Sequence, residues 1–344
     1  MNARTLLGTL ALVVLGLLVW ELRWVLLVLF GAVVLAVALD VPISLVRRLL
    51  PFNRPSALLL VLGVLVVLGG WLGSLLLPEV VEQARQFSLL LPILGHRLTE
   101  LLGSVPGLPK IDSRLLNDQT WERLQPLGTQ LLGVAGGAAN STVQLLLMVL
   151  LAILLALDPR SHQRLVIAAT PRFYRSRVQT LLAECRQALG GWLAGMTISA
   201  VVVFLTTWAG LALLKVPLAL LSALVCGLLT FVPTIGPTAA TLLPLAVSLL
   251  VSPAKVLQVL VLRLVLQNGE AFLLTPMLLS RTVNLLPTVA LMSQLCLGAL
   301  LGLPGVLLAL PLVVVLQVVG QEVLVHDIMD RWSPDPAAIA ALDE

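Results

Sequence analysis

The sequence predicts an all-α, polytopic integral membrane protein of about eight transmembrane helices, with Pro/Gly-broken hairpins and an extramembranous amphipathic helical insert. Three observations predict it. Hydrophobic residues make up 59% of the chain and charged residues 11%, where a soluble domain carries roughly 45–50% and about 25%. Apolar runs recur along the chain, several near the ~20 residues that cross a bilayer. Arginines collect in the stretches between those runs, as the positive-inside bias of membrane proteins requires.

The first two apolar segments, Thr5–Trp20 and Trp24–Leu39, are separated by Glu21-Leu22-Arg23. Charges between two tryptophans mark a membrane interface, so the spacing predicts a helical hairpin. Arg4 and Ala36-Val37-Ala38 suggest a cleaved leader, but the run is too long for one and Glu21 and Arg23 interrupt it. It reads as an uncleaved pair of membrane segments. With the span Ser56–Leu77 it completes the N-terminal membrane segments, residues 1–77.

Residues 78–139 form the amphipathic insert. Val80, Ala84, Phe87, Leu91, Leu94, Leu98 and Leu101 follow helical spacing, with Glu79, Glu82, Arg85 and Glu100 on other faces. Pro92 is expected to kink or divide this helix. Beyond the Pro106–Pro109 loop, Trp121, Leu124, Leu127 and Leu131 mark a second amphipathic stretch. What its apolar face packs on stays open: itself, another subunit or lipid.

Residues 140–157 are the next transmembrane helix. The basic loop 158–189 follows, with Arg160, Arg164, Arg172, Arg175, Arg177 and Arg186 against Asp158 and Glu184. This loop and the earlier Arg47, Arg48 and Arg54 are expected in the cytoplasm, separated by two spans. The insert then lies on the extracytoplasmic side, and both termini are cytoplasmic. Residues 190–320 are the core transmembrane region, and 321–344 an acidic, solvated tail. Counting every apolar segment gives ten; two re-entrant hairpins would leave about eight spans.

The net charge of +4 fits this orientation better than nucleic-acid binding. Lys110, Lys215 and Lys255 are the only lysines and none follows a glycine, so a nucleotide-binding phosphate loop is excluded. His96, His162 and His326 are too dispersed for a metal site or catalytic dyad, and no hydrolase motif occurs. No cofactor, metal or catalytic residue is expected, and the chain is not read as an enzyme. Cys185, Cys226 and Cys296 are read as free thiols. Pairs such as Gly69/Gly73, Gly133/Gly137, Gly191/Gly195 and Gly298/Gly302 are read as close helix packing. Homo-oligomerisation remains open.

Two features carry functional weight. In the apolar segment Val256–Leu274, Arg263, Gln267, Asn268 and Glu270 are the polar residues. Positions 263, 267 and 270 fall within about 60° of one another on a helix. An intramembrane arginine costs roughly 2.5–3.5 kcal/mol, so the stripe must face protein or a cavity. It is either a transport-path element or a structural clamp. The second feature is a pair of tips, Phe231-Val232-Pro233-Thr234-Ile235-Gly236-Pro237 and Gly302-Leu303-Pro304-Gly305, followed by Pro244 and Pro311 respectively. Paired broken segments point to a transporter's site. They are expected as helix interruptions in equivalent positions of two similar hairpins, beside a polar cavity near Thr234, Thr238 and the Glu270 helix. A plain tight turn is the alternative for each.

At these residues the chain resembles the autoinducer-2 exporter family of permeases. The stretch from Phe231 to Pro237 is similar to that family's F-[IV]-P-x-[IV]-G-P. Glu270, Pro276, Arg281 and Pro287 resemble its E-N-x-x-x-x-P … G-[KR] … P run, and Gly302 to Gly305 with Pro311 its late G-x-x-G … P step. Ala271, Ser280 and Met196 depart from it, standing where Asn, Gly and Gln are usual. The resemblance implies a multi-pass permease of the plasma (inner) membrane, passive or gradient-driven, whose cargo is a small polar solute and whose direction is export. Sodium/proton antiport, with Glu270 as proton carrier, is the ionic alternative. A non-transporting scaffold that binds a partner through residues 78–139 is the third. The path residues would be Glu270, Arg263, Gln267, Asn268 and Thr234. The backbone breaks would be Pro233, Gly236, Pro237, Pro276, Gly302, Pro304, Gly305 and Pro311.

Overall fold

In an apolar solvent each backbone N–H and C=O must find its partner within the chain, which restricts a single polypeptide of this composition to helices. The computed structural model describes residues 8, 10, 14–18, 20–104, 139–232, 235–274 and 286–329, and among them there is no strand. Among the described residues, five helices are long and apolar enough to cross a membrane, and a sixth crossing is gained by counting one bent pair as a single span. The all-α polytopic fold is as expected; the two further apolar helices among these residues are too short to count as spans.

The chain divides into two compact units. The first contains residues 1–58, 140–190 and 288–344, the second 59–139 and 191–287.

In the first unit, α1 (Arg23–Leu49) follows Leu22, whose φ of −83° and ψ of 3° depart from helix. The hairpin expected at Glu21–Arg23 is absent. Leu22 N–H donates to Leu18 O and Leu26 N–H to Leu22 O, both at 2.9 Å, so the helical ladder continues across the site. Arg23 instead folds back, its Nη1 on Trp20 O at 2.8 Å and its guanidinium over the Trp20 ring. Helix α3 (Ala139–Leu157) ends at Asp158, and α4 (Pro159–Ala169) leaves it at 88°. Asp158 caps α4 by accepting from Ser161 N–H, with Pro159 at the first helical position. Bonding to Ser161 holds the Asp158 carboxyl below its ordinary pKa. The basic stretch is thus helical, continuing through a short 3₁₀ turn into α5 (Arg175–Leu213). Small residues set the packing distances. A Cβ at Gly31 would meet Met148 Sδ at 2.7 Å and Leu308 Cδ1 at 3.3 Å, so α1 sits tightly on α3 and on α9 (Pro287–Val319).

Helix α9 has the length of a span but does not cross as one rod. Gly302 has φ 66° and ψ −150°, a region only glycine occupies freely. A Cβ at Gly305 would collide with the carbonyl of Leu297, and one at Gly298 would meet Val306 at 2.8 Å. Residues eight apart in a straight helix are separated by about 12 Å. The helix therefore folds sharply back at Gly302. Past Val319 the chain continues as a π-helical segment, Gly320–Met329.

Helix α2 (Arg54–Ser104), whose residues from Leu59 onward belong to the second unit, is a single helix of 51 residues. Pro92 does not divide it, and the expected span and the first part of the insert are one element. At 1.5 Å per residue it is about 75 Å long, far more than the ~30 Å hydrocarbon core, so one end must project. The insert's apolar face is partly accounted for: Ala84, Val80 and Phe87 pack with Leu211, Leu218, Val247 and Val259. Gln83 Oε1 accepts from Leu221 N–H at 2.9 Å, satisfying an orphan donor at the start of α6 (Ala219–Leu229). Residues 105–138, with the rest of the insert, lie outside the described residues. Helices α6 and α7 (Ile235–Leu249) have 11 and 15 residues, too short to cross singly. A Cβ at Gly236 would overlap the Leu229 carbonyl, so α7 folds back on α6 much as α9 folds on itself. Helix α8 (Pro253–Gly269) packs on α7, is capped by Ser252, and passes into a π-helical turn, Glu270–Leu274.

Candidate functional site

The polar residues of α8 separate into an inner and an outer set. Arg263 is 4% exposed. Its Nη1 donates to Thr207 Oγ1 at 3.2 Å, its Nε to Thr241 Oγ1 at 3.3 Å and its Nη2 to Pro237 O at 3.4 Å. Helices α5 and α7 thus supply the oxygens, all of them neutral, and among the described residues Arg263 joins no ion pair. Glu270, half-buried two turns further on, accepts from Ser199 Oγ of α5 at 2.8 Å. Gln267 is half-buried between them. Asn268 lies off the stripe: it is exposed and its Nδ2 donates to the Leu264 carbonyl of its own helix.

The first tip reaches this site. Pro237 stands in the first turn of α7 and offers its carbonyl to Arg263, while its neighbour Gly236 lies against α6. Pro233, Thr234 and Pro276 lie outside the described residues. Pro304, Gly305 and Pro311 follow the break at Gly302 in α9, in the first unit; Glu270 and Arg263 belong to the second.

Four participants escaped sequence reasoning. Ser199 and Thr207 of α5 and Thr241 of α7 are three among several hydroxyls on those helices, and nothing in their spacing singles them out. The fourth, Asp40, centres a charged cluster in the first unit. Arg54 Nη2 meets its Oδ1 at 2.6 Å, and Arg186 donates to its Oδ2 through Nε at 3.0 Å and also through Nη2. Arg54 Nε donates to Ala156 O at 2.8 Å. A lone aspartate in an apolar helix was the available signal. In the same unit Arg177 joins Glu322 at 2.7 Å and Asp327 at 3.0 Å, and Tyr174 donates to Asp327 at 2.8 Å. The first turns of the tail, expected to be solvated, are therefore tied down as far as Asp327.

Membrane-length helices, broken helical segments and a buried cation among neutral oxygens define a polytopic α-helical membrane protein with a polar site inside its apolar helices. The family model of the AI-2E family transporters matches residues 7–324, and the chain belongs to that family. Among similar proteins, "Putative transport protein sll0060" of Synechocystis sp. is 26% identical over 80% of this chain and 82% of its own length. "Putative transport protein sll0063" of the same organism is 29% identical over 83% of this chain and 74% of its own. "Putative transport protein YrrI" of Bacillus subtilis is 26% identical over 43% of this chain, a match spanning 42% of that protein's length.

Proposed function

We propose that the chain is a permease of the plasma (inner) membrane that exports a small polar solute rich in hydrogen-bond acceptors, passively or with a gradient. The observation that carries this reading is Arg263. A guanidinium has five N–H donors, and here three bonds of 3.2–3.4 Å go to neutral oxygens. Ionisable residues within membrane segments pair with each other or with backbone carbonyls and mark solute pathways; Arg263 has the Pro237 carbonyl but no carboxylate among the described residues. A solute passing Arg263 would supply better acceptors than the threonines do. Family membership supports the class of activity. The joining of Arg54 and Arg186 through Asp40 supports placing both basic segments on one side, the cytoplasm by charge.

Flux through proteoliposomes of purified protein tests the reading, with a panel that includes autoinducer-2 and Na⁺/H⁺. Glu270→Gln is expected to impair flux while the protein remains inserted and folded. Normal flux would reduce Glu270 to a structural residue. Sodium/proton antiport is the second reading, favoured by the half-buried Glu270 carboxylate on the Ser199 hydroxyl. It requires flux that depends on sodium and pH and is lost in Glu270→Gln. Absence of any flux would leave the scaffold reading.

A further inference from the structure

The first unit contains a cavity of about 470 Å³, lined entirely by residues of that unit, whereas the Arg263 site belongs to the second. Its size is within the ~300–1,000 Å³ of ligand pockets. Its walls are aliphatic and aromatic: Phe30, Val33 and Val37 of α1, Leu155 of α3, Leu182 of α5 and Val315 of α9. Asp40, Arg54 and Arg186 also line it, with His162 and Gln163 of α4 nearby.

We infer that this cavity binds an anionic phospholipid of the surrounding bilayer, with acyl chain in the apolar chamber and phosphate on Arg54 and Arg186.

Charge gives the first argument. One carboxylate faces two guanidinium groups, leaving the cluster one positive charge in excess. Donor inventory gives the second. Arg54 spends Nε on Ala156 O and Nη2 on Asp40; Arg186 spends Nε and Nη2 on Asp40. The Nη1 nitrogen of each therefore has no partner among the described residues, and two such groups beside one carboxylate suit a phosphate. His162 contributes less, since its Nδ1 already meets the Asp158 carbonyl at 2.8 Å. The walls give the third. A small hydrophilic anion would gain nothing from that apolar lining, whereas a lipid places its chain there and its head on the arginines. Basic pockets between transmembrane helices on the cytoplasmic side hold anionic head groups in this manner. The inference requires only that the chain reside in a bilayer, and it stands apart from the transport reading.

The test uses the full chain, purified and delipidated in neutral detergent, then offered phosphatidylglycerol, phosphatidylcholine or inorganic phosphate. Lipid retained per protein is measured by native mass spectrometry, and the melting midpoint is followed in parallel. Phosphatidylglycerol should be retained several-fold over phosphatidylcholine and should raise the midpoint, while inorganic phosphate should do neither. Arg186→Gln, at a side chain 43% exposed, should erase the difference between the lipids without abolishing retention. Val178→Phe, which narrows the chamber, should reduce retention of both. Equal retention of the two lipids by the wild-type chain overturns the inference, whatever the variants do. So does a midpoint shift reproduced by inorganic phosphate alone, or a folded Arg186→Gln protein that keeps its preference.

Discussion

Arg263 is where stability and activity should part. Breaking a buried ion pair exposes an uncompensated charge, but Arg263 has no carboxylate to abandon among the described residues. Replacing even a buried ion pair by apolar residues of similar volume is often neutral or stabilising by ~1–4 kcal/mol, and Arg263, with no counter-charge, has less Coulombic attraction to lose. Arg263→Met is therefore expected to melt at or above the wild-type temperature while losing flux. A variant that unfolds would show that the arginine holds α5, α7 and α8 together. The glycines give a second residue-scale expectation. Gly302→Ala meets no atom within 4 Å, so its cost is backbone strain alone, about 1–3 kcal/mol. Gly236→Leu and Gly305→Leu would drive a side chain into the carbonyls of Leu229 and Leu297 and should cost more and abolish flux. Leu242→Ile, at an exposed position, should be mild. Thermal melting of the four variants checks the order.

At the scale of elements, the first unit is joined by charges that link distant stretches of chain. Asp40 of α1 joins Arg54 at the start of α2 to Arg186 of α5. Removing the carboxylate leaves two arginines facing each other. Loss of one partner from a buried pair costs about 3–5 kcal/mol. Arg186 is 43% exposed, so screening brings the expected loss for Asp40→Asn to roughly 2–3 kcal/mol. Differential scanning fluorimetry in detergent measures it, and an unchanged midpoint would reduce the cluster to surface pairing. What the sequence disclosed about such elements depended on repetition. The inward face of α8 was legible because Arg263, Gln267 and Glu270 recur at helical spacing in an apolar segment. The fold-back at Gly302 was legible because Gly-Leu-Pro-Gly cannot sustain a helix through an apolar run. Asp40 on α1, Ser199 and Thr207 on α5 and Thr241 on α7 meet partners from other helices, and only tertiary structure brings those partners to them. Glu21-Leu22-Arg23 misled for a different reason. Charges and tryptophans report an interface, but nothing in Glu, Leu or Arg breaks a helical ladder, so the chain bends at Leu22 and continues.

For the whole molecule, orientation decides the direction of transport, and it rests on arginines. Those at 47, 48 and 54 and those from 160 to 186 flank two apolar stretches, Ser56–Leu77 and Ala139–Leu157. Positive charge near short membrane segments is retained in the cytoplasm, so the proposed orientation puts both basic stretches on that side and residues 100–120 on the other. The length of α2 agrees with that division. A helix of 51 residues anchored at Arg54 overshoots the hydrocarbon core by roughly 45 Å. Its charged residues Glu79, Glu82 and Arg85 lie beyond the first ~20 residues, where the far interface would fall. The native thiols complicate labelling, because Cys185 is only partly buried and Cys296 is exposed. A background with Cys185, Cys226 and Cys296 replaced by Ser or Ala, restored singly by cysteines within 100–120 or 160–180, removes that interference. In sealed cells, an impermeant maleimide should label the first set and reach the second only after permeabilisation. Labelling of 160–180 from outside would reverse the orientation, and with it the side from which solute reaches Arg263.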